Sequence, residues 1–175
     1  DAGETPTGFV NLAHEIASFP TFNTPTTRSV QGKDGLFYIY TSGTTGLPKA
    51  VIFTNSRWTL AYGTYGHIID FKADDVMYCT LPLYHATGIV VCWCGVIASS
   101  ATLAIRRKYS TSSFWKDVQK FDASAIGYVG ELCRYLMDVP EYELEKGHRV
   151  TKMIGNGMRP NIWDKFKARF GIEEV

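Results

Sequence analysis

The fold and function of this sequence are decided by a loop of hydroxyl side chains and glycines, Tyr40-Thr41-Ser42-Gly43-Thr44-Thr45-Gly46-Leu47-Pro48-Lys49. Short apolar runs at 36–40 and 50–53 flank it. The first, rich in aromatic residues, predicts a buried β-strand, and the second predicts another strand. Glycines let the backbone approach a ligand closely and turn N–H groups towards an anion. The hydroxyls add donors and the lysine adds a positive charge, which suits phosphate oxygens. An unliganded Ser/Thr/Gly hairpin is the alternative that these residues leave open.

Outward from this loop, strand patterns alternate with helix patterns along the rest of the chain. Further strands are predicted at 76–80, 101–105, 124–129 and 150–154, with another starting at 172–175. Helices are predicted at 55–69, 88–99, 114–121, 131–137 and 160–170. This alternation predicts an α/β fold of layered sheet and helices.

Residues 1–35 lack the alternation of strand and helix patterns. Residues 20–35 are rich in Pro, Thr and Gly and form a polar linker, preceded by a short helix predicted within 9–19. We therefore expect an N-terminal segment and linker over 1–35 and the main domain over 36–175.

Composition excludes several classes of protein. The 175 residues are 45% hydrophobic and 20% charged, and the net charge of +1 gives no footprint for nucleic acid. Four cysteines without CxxC spacing, Cys79, Cys92, Cys94 and Cys133, are interpreted as reduced, buried thiols rather than a metal site. The longest apolar run, 89–98, is too short to span a bilayer, and no secretory signal is visible. A cytoplasmic location is expected, with peripheral membrane association left open.

Two common nucleotide-binding motifs do not fit. A Walker A loop needs Gly before its lysine and Ser or Thr after it, whereas Pro48 and Ala50 flank Lys49. The run starting at Gly155 has Pro160 where a dinucleotide fingerprint needs its last glycine.

The loop resembles instead the AMP-binding signature of adenylate-forming enzymes, which include acyl-CoA synthetases and luciferases. A second stretch is similar to the acyl-pocket motif of that family: Leu81-Pro82-Leu83-Tyr84-His85-Ala86-Thr87-Gly88. Residues 128–136 and 154–160 resemble the branch of fatty acid transport proteins and very-long-chain acyl-CoA synthetases. The resemblance covers 35–175, and it implies an incomplete piece of the large N-terminal domain of such an enzyme.

The resemblance implies a two-step reaction in which ATP activates a long-chain fatty acid to acyl-AMP and CoA then displaces AMP. The parent enzyme would use ATP, Mg²⁺ and CoA, with no tightly bound cofactor. Residues 40–49 would bind the phosphates. The acyl substrate would meet Tyr84, His85, Thr87, Gly88, Val129 and Gly130. Adenine and ribose would meet Gly155, Asn156 and Gly157.

Other interpretations of these residues stay open. His85 suits a structural hydrogen bond as well as a substrate contact. Residues 106–108 are interpreted as a solvated basic strand end, and 155–157 as a turn between strand and helix. The magnesium-binding acid of the family is expected beyond Val175, so we expect no complete catalytic set within 1–175 and no activity from this piece alone. A nucleotide- or fatty-acid-binding or transport module without ligase activity is the alternative function.

Overall fold

The chain divides into two compact units, Asp1–Gln31 and Gly32–Val175. The structure, a computed structural model, describes residues 4–41 and 47–175. In the first unit, helix α1 covers Leu12–Ile16, and the side chain of Asn11 caps it by accepting the His14 N–H at 3.2 Å. None of the described residues of this unit is buried, and α1 is shorter than the helix predicted within 9–19. The boundary predicted at residue 35 stays a prediction.

The second unit contains six strands and five α-helices within its described residues. The strands are β1 (Gly35–Thr41), β2 (Lys49–Thr54), β3 (Val76–Cys79), β4 (Thr102–Ile105), β5 (Ala125–Val129) and β6 (Lys152–Asn156). The helices are α2 (Asn55–Ile69), α3 (Cys94–Ser99), α4 (Phe114–Lys120), α5 (Gly130–Asp138) and α6 (Pro160–Phe170). A π-helical segment, Thr87–Trp93, leads directly into α3.

Strands β3 to β6 form a parallel sheet in the order β4-β3-β5-β6. All four carboxyl ends therefore lie at one edge. The chain runs from β3 outward to β4 and then returns across β3 to β5, so the strand order reverses between β3 and β5. In open α/β sheets, ligands bind outside the carboxyl ends of the strands at such a reversal.

Both faces of this sheet are covered, as is usual for an all-parallel sheet. Successive side chains of β3 alternate between the faces. Tyr78 contacts Phe114 of α4, with ring centroids 5.2 Å apart. Cys79 lies instead beside Cys92 of the π segment. Burial of Tyr78, together with its hydrogen bond to Asp117, raises the pKa of the phenol well above its usual value.

Strands β1 and β2 form a separate antiparallel hairpin. Its inward side chains, Phe37 and Ile39, pack against a second apolar cluster that includes Ala61 of α2 and Val90 of the π segment. At the loop end of the hairpin Thr41 pairs with Lys49, and the Thr41 hydroxyl donates to the Lys49 carbonyl oxygen at 3.3 Å.

The structure confirms the α/β alternation and changes four details. The strand predicted as buried over 36–40 is β1 of the two-stranded hairpin, and its Tyr38 and Tyr40 are exposed because only one face of the hairpin packs against the fold. The helix predicted over 88–99 is a π segment followed by α3. The strand predicted over 150–154 is displaced to Lys152–Asn156, so Gly155 and Asn156 end a strand rather than form a turn. Residues 172–175 contribute one isolated parallel bridge, between Glu174 and Lys152.

Candidate functional site

A cavity of about 520 Å³ opens where the strand order of the parallel sheet reverses. Its lining comes from the end of β1, from the chain after β3 and from the last residue of β5: Ile39, Tyr40, Thr41, Leu81, Pro82, His85, Ala86, Thr87 and Val129. The volume suits a small-molecule site. The fold thus brings the start of the predicted phosphate loop to the same cavity as the predicted acyl motif, which lies more than forty residues later in the chain.

The phosphate loop is described only at its two ends. Ser42, Gly43, Thr44, Thr45 and Gly46 lie outside the described residues. Tyr40 and Thr41 line the cavity, and the other described members of the loop, Leu47, Pro48 and Lys49, are exposed. Because Lys49 pairs with Thr41, both described ends of the loop are anchored beside the cavity.

His85 is exposed at the cavity wall and is held through its backbone. Its N–H donates to the Pro82 carbonyl oxygen, and its own carbonyl oxygen accepts the Ile89 N–H, both at 3.1 Å. Its ring lies against that of Tyr84, with centroids 4.7 Å apart. The side chain is therefore exposed at the cavity wall, and its contact with a substrate stays a prediction.

Three of the remaining predicted acyl residues line one or both of two cavities, whereas Gly88 and Gly130 line neither. Thr87 and Val129 line the cavity of about 520 Å³. Tyr84 lines a second, mainly apolar cavity of about 370 Å³, which shares Leu81, Pro82 and Val129 with the first. The chain that follows β3 thus separates two compartments at the carboxyl edge of the sheet.

Three predicted site glycines have a packing reason to be glycine. A Cβ on Gly88 would lie 2.5 Å from the Pro82 carbonyl oxygen. A Cβ on Gly130 would overlap the carbonyl oxygen of Gly157, and one on Gly155 would overlap that of Tyr128. Gly157 has φ +75°, which a side chain rarely adopts. These contacts explain the glycines without a ligand, so their roles towards acyl chain, adenine and ribose stay predictions.

One contact at the site was missed by sequence reasoning. The side-chain amide of Asn156, at the end of β6, donates to the Thr87 hydroxyl oxygen at 3.1 Å. The residues are 69 positions apart and were assigned to different parts of the ligand. Only the strand order, which the sequence pattern does not reveal, brings them together.

Residues 106–108, which follow β4, are interpreted from the sequence as a solvated basic strand end, but Arg106 is bonded within the fold. Arg106 forms an ion pair with Asp117 of α4 and also donates to the Lys108 carbonyl oxygen at 2.9 Å. Asp117 in turn accepts the hydrogen bond from buried Tyr78. Arg106 therefore ties β4 to α4.

The cysteines are free and buried, as predicted. Burial raises the pKa of Cys94 to about 11 and that of Cys133 to about 12, so both are protonated thiols at neutral pH. Among residues 4–41 and 47–175, no group of three or more His, Cys, Asp or Glu could hold a metal ion. No helix in those ranges is long and apolar enough to cross a membrane.

Known proteins share both sequence and fold with this chain. It is 44% identical over 157 residues to the medium/long-chain-fatty-acid–CoA ligase FadD6 of Mycobacterium tuberculosis, covering 89% of this chain and 26% of that protein. It is 45% identical over 144 residues to bovine (Bos taurus) long-chain fatty acid transport protein 1, covering 81% of this chain and 22% of that protein. The chain thus spans about a quarter of the length of these curated relatives.

The structural similarity agrees with that in sequence. The N-terminal domain of FACL13 from Mycobacterium tuberculosis matches with a TM-score of 0.71 at 27% identity, over 82% of this chain and 36% of that chain. O-succinylbenzoate coenzyme A synthetase from Bacillus subtilis, in complex with AMP, matches with a TM-score of 0.67 at 20% identity, over 83% and 36%, which shows a shared fold. The family model described as AMP-binding enzyme matches residues 4–175. This chain belongs to the AMP-binding enzyme family.

Proposed function

We propose that this chain is the part of a long-chain fatty acid–CoA ligase that binds ATP and the fatty carboxylate. The observation that carries the proposal is the shared cavity. Tyr40 and Thr41, which lead into the hydroxyl-glycine loop, line it together with His85 and Thr87 of the second motif. The cavity lies at the reversal of strand order, which is where open α/β sheets bind ligands. The names of the two sequence relatives support a fatty acid as the substrate.

The proposed reaction has two displacements. A fatty carboxylate oxygen attacks the α-phosphorus of ATP, the bond to the β-phosphate oxygen breaks, and pyrophosphate leaves. The sulfur of CoA, as thiolate, then attacks the acyl carbonyl carbon and AMP leaves. In the first step, Lys49 and the hydroxyls and N–H groups of residues 40–49 would offset the negative charge around phosphorus. His85 would contact the carboxylate, and Gly155 and Gly157 would meet adenine and ribose.

Magnesium ion is expected for this family, but the described residues do not form a site for it. No carboxylate is among the residues that line the cavity, and hard cations such as Mg²⁺ are held by carboxylate oxygens. No step above is therefore assigned to the metal. A cytoplasmic location and peripheral membrane association also stay predictions.

Lys49→Ala in the full-length parent tests the proposal most directly. Losing a charged donor to phosphate should cost about 2 kcal/mol, which is roughly a thirtyfold loss in ATP affinity or adenylation rate. Thr44→Ala should lose less, because it removes a neutral donor. Lys165→Ala, at an exposed position of α6, is the matched control and should leave both constants unchanged. The measurements are fatty-acid-dependent pyrophosphate release and thermal melting.

His85→Ala separates the two substrates. It should raise the KM for fatty acid more than that for ATP, and an equal or larger effect on ATP would contradict the acyl assignment. If Lys49→Ala lowers the melting temperature and leaves the ATP constants unchanged, the loop is structural. Fatty acid binding by the parent that ATP does not affect, without pyrophosphate release, would support the binding or transport alternative instead.

A further inference from the structure

The hydrogen bond between Asn156 and Thr87 joins two separate parts of the candidate site. Asn156 is the last residue of β6, and Thr87 is the first residue of the π segment. The Asn156 amide nitrogen lies 3.1 Å from the Thr87 hydroxyl oxygen and donates to it. Thr87 also lines the cavity of about 520 Å³, beside His85.

This bond determines what the Thr87 hydroxyl can still do. A hydroxyl has one hydrogen to donate and two lone pairs that accept. Asn156 uses one lone pair, so the hydrogen of Thr87 is directed elsewhere. Within residues 4–41 and 47–175, no side chain or carbonyl group accepts a hydrogen bond from it. Towards the described residues this hydrogen is therefore uncommitted, and Thr87 lies at the wall of the cavity.

The backbone at Thr87 is fixed as well. The next residue, Gly88, is buried, and even a Cβ there would lie 2.5 Å from the Pro82 carbonyl oxygen. The π segment thus begins in close contact with the chain after β3. With the backbone held by this packing and the oxygen held by Asn156, the donor is oriented before a ligand binds, which is the condition for effective stabilisation of developing charge.

We propose that Thr87 donates a hydrogen bond to an anionic oxygen of the bound substrates and that Asn156 is the positioning residue that sets its direction. The inference rests on the proposed function. The oxygen belongs either to the fatty carboxylate or to the α-phosphate of ATP, since the two meet at the reacting centre and share the same acceptor chemistry. Asn156 then acts through Thr87, in place of a contact to adenine or ribose.

Four single variants of the full-length parent test this. Thr87→Val removes the donor and should lower kcat/KM for pyrophosphate release about tenfold, whereas Thr87→Ser keeps it and should stay within about threefold of the wild type. Asn156→Asp replaces the amide donor by a carboxylate that only accepts, so the Thr87 hydrogen turns towards Asp and the loss should approach that of Thr87→Val. Asn156→Ala frees the Thr87 hydroxyl to rotate, so its loss in kcat/KM should be smaller than that of Asn156→Asp.

The double variant decides whether Asn156 works through Thr87. In the Thr87→Val background, Asn156→Ala should cost almost nothing further, because the group that it positions is already gone. If the two fold-losses in kcat/KM multiply in the double variant instead, the inference is overturned and Asn156 has an independent ligand contact. Varying each substrate in turn identifies the acceptor: the larger KM effect falls on the fatty acid if it is the carboxylate, and on ATP if it is the phosphate.

Failure of the inference and failure of the proposed function give different results. A wild-type parent that releases no pyrophosphate with any fatty acid overturns both. An active wild type in which Thr87→Val behaves like Thr87→Ser overturns the inference alone. Thermal melting of every variant is the control for a folding defect. Because Thr87 and Asn156 are not fully buried, none of the four substitutions should lower the melting temperature appreciably.

Discussion

The hairpin β1–β2 and the parallel sheet β4-β3-β5-β6 differ sharply in burial, although both line the same cavity. In β3, Met77, Tyr78 and Cys79 have no exposed surface. In the hairpin, by contrast, Tyr38 is 65% exposed and Tyr40 is 64% exposed. Since stability comes mainly from buried apolar area, we expect the sheet to carry most of the stability and the hairpin to carry the proposed ligand-binding groups at little cost in stability. Substitutions in the two regions should therefore separate stability from nucleotide affinity.

The largest loss of stability is expected where the carboxyl ends of β5 and β6 meet. Gly130→Ala places a methyl group in the carbonyl oxygen of Gly157, so two backbone segments must move apart. Overpacking against backbone should cost more than about 3 kcal/mol of unfolding free energy or prevent folding. Urea unfolding of the variant measures the loss.

Gly63→Ala is the matched control for that substitution. Gly63 lies within α2, and nothing lies within 4 Å of an added Cβ. Alanine there should stabilise the protein by about 0.5–1 kcal/mol, because glycine is the poorer residue inside a helix. A Gly130→Ala protein as stable as wild type would show that the sheet edge does not carry the stability expected of it.

A pair of isoleucines tests the comparison directly. Ile126 of β5 has no exposed surface, whereas Ile52 of β2 is 50% exposed. Ile126→Ala should destabilise the protein by about 2–5 kcal/mol through the cavity that it leaves, and Ile52→Ala should cost under about 1 kcal/mol. The measurement is again urea unfolding. Equal losses would mean that the hairpin contributes to stability as much as the sheet does.

Much of the fold could be predicted from the sequence, because apolar periodicity reports which side chains are buried. The runs at 76–80 and 124–129 predict strands, and Met77 and Ile126 within them are fully buried. The run at 36–40 predicts a buried strand, and that prediction was wrong, because its tyrosines face away from the cluster that the hairpin packs against. Periodicity carries no information about which strands are neighbours. The reversal between β3 and β5, and with it the contact of Asn156 with Thr87, could not be predicted for that reason.

The sequence indicates a chemistry for the candidate site but not its geometry. The hydroxyls and lysine of residues 40–49 indicate an anion whatever the strand order. Gly130 and Gly155 were predicted to meet the ligand, yet each also has a backbone oxygen in the space of a Cβ. Glycine serves close packing and ligand access equally well, so its presence in a sequence does not distinguish the two.

The smallest change in unfolding free energy is expected from the titration of His148, which packs against α4. The ring of His148 stacks on Trp115 of α4, with centroids 4.6 Å apart and 11° between planes. Its Nδ1 accepts the Val150 N–H at 3.2 Å, so the neutral ring carries its hydrogen on Nε2, which is buried. Burial lowers the pKa of His148, and the positive charge of Lys146 acts in the same direction.

This shift determines how stability should change with pH. The folded pKa lies below the unfolded value of about 6.5, so at pH 5 the unfolded chain binds a proton more readily than the folded one. Stability should therefore be complete above the unfolded pKa and decline as the pH falls towards the folded pKa. His148→Phe keeps the stack on Trp115 and cannot titrate, so its unfolding free energy should fall less between pH 7.5 and pH 5 than that of wild type. Urea unfolding of both proteins at the two pH values measures the difference, and equal declines would assign the acid sensitivity to other groups. Under the proposed function, ATP affinity at pH 7.5 should be the same for both proteins, since His148 does not line the cavity that the hairpin shares with the sheet.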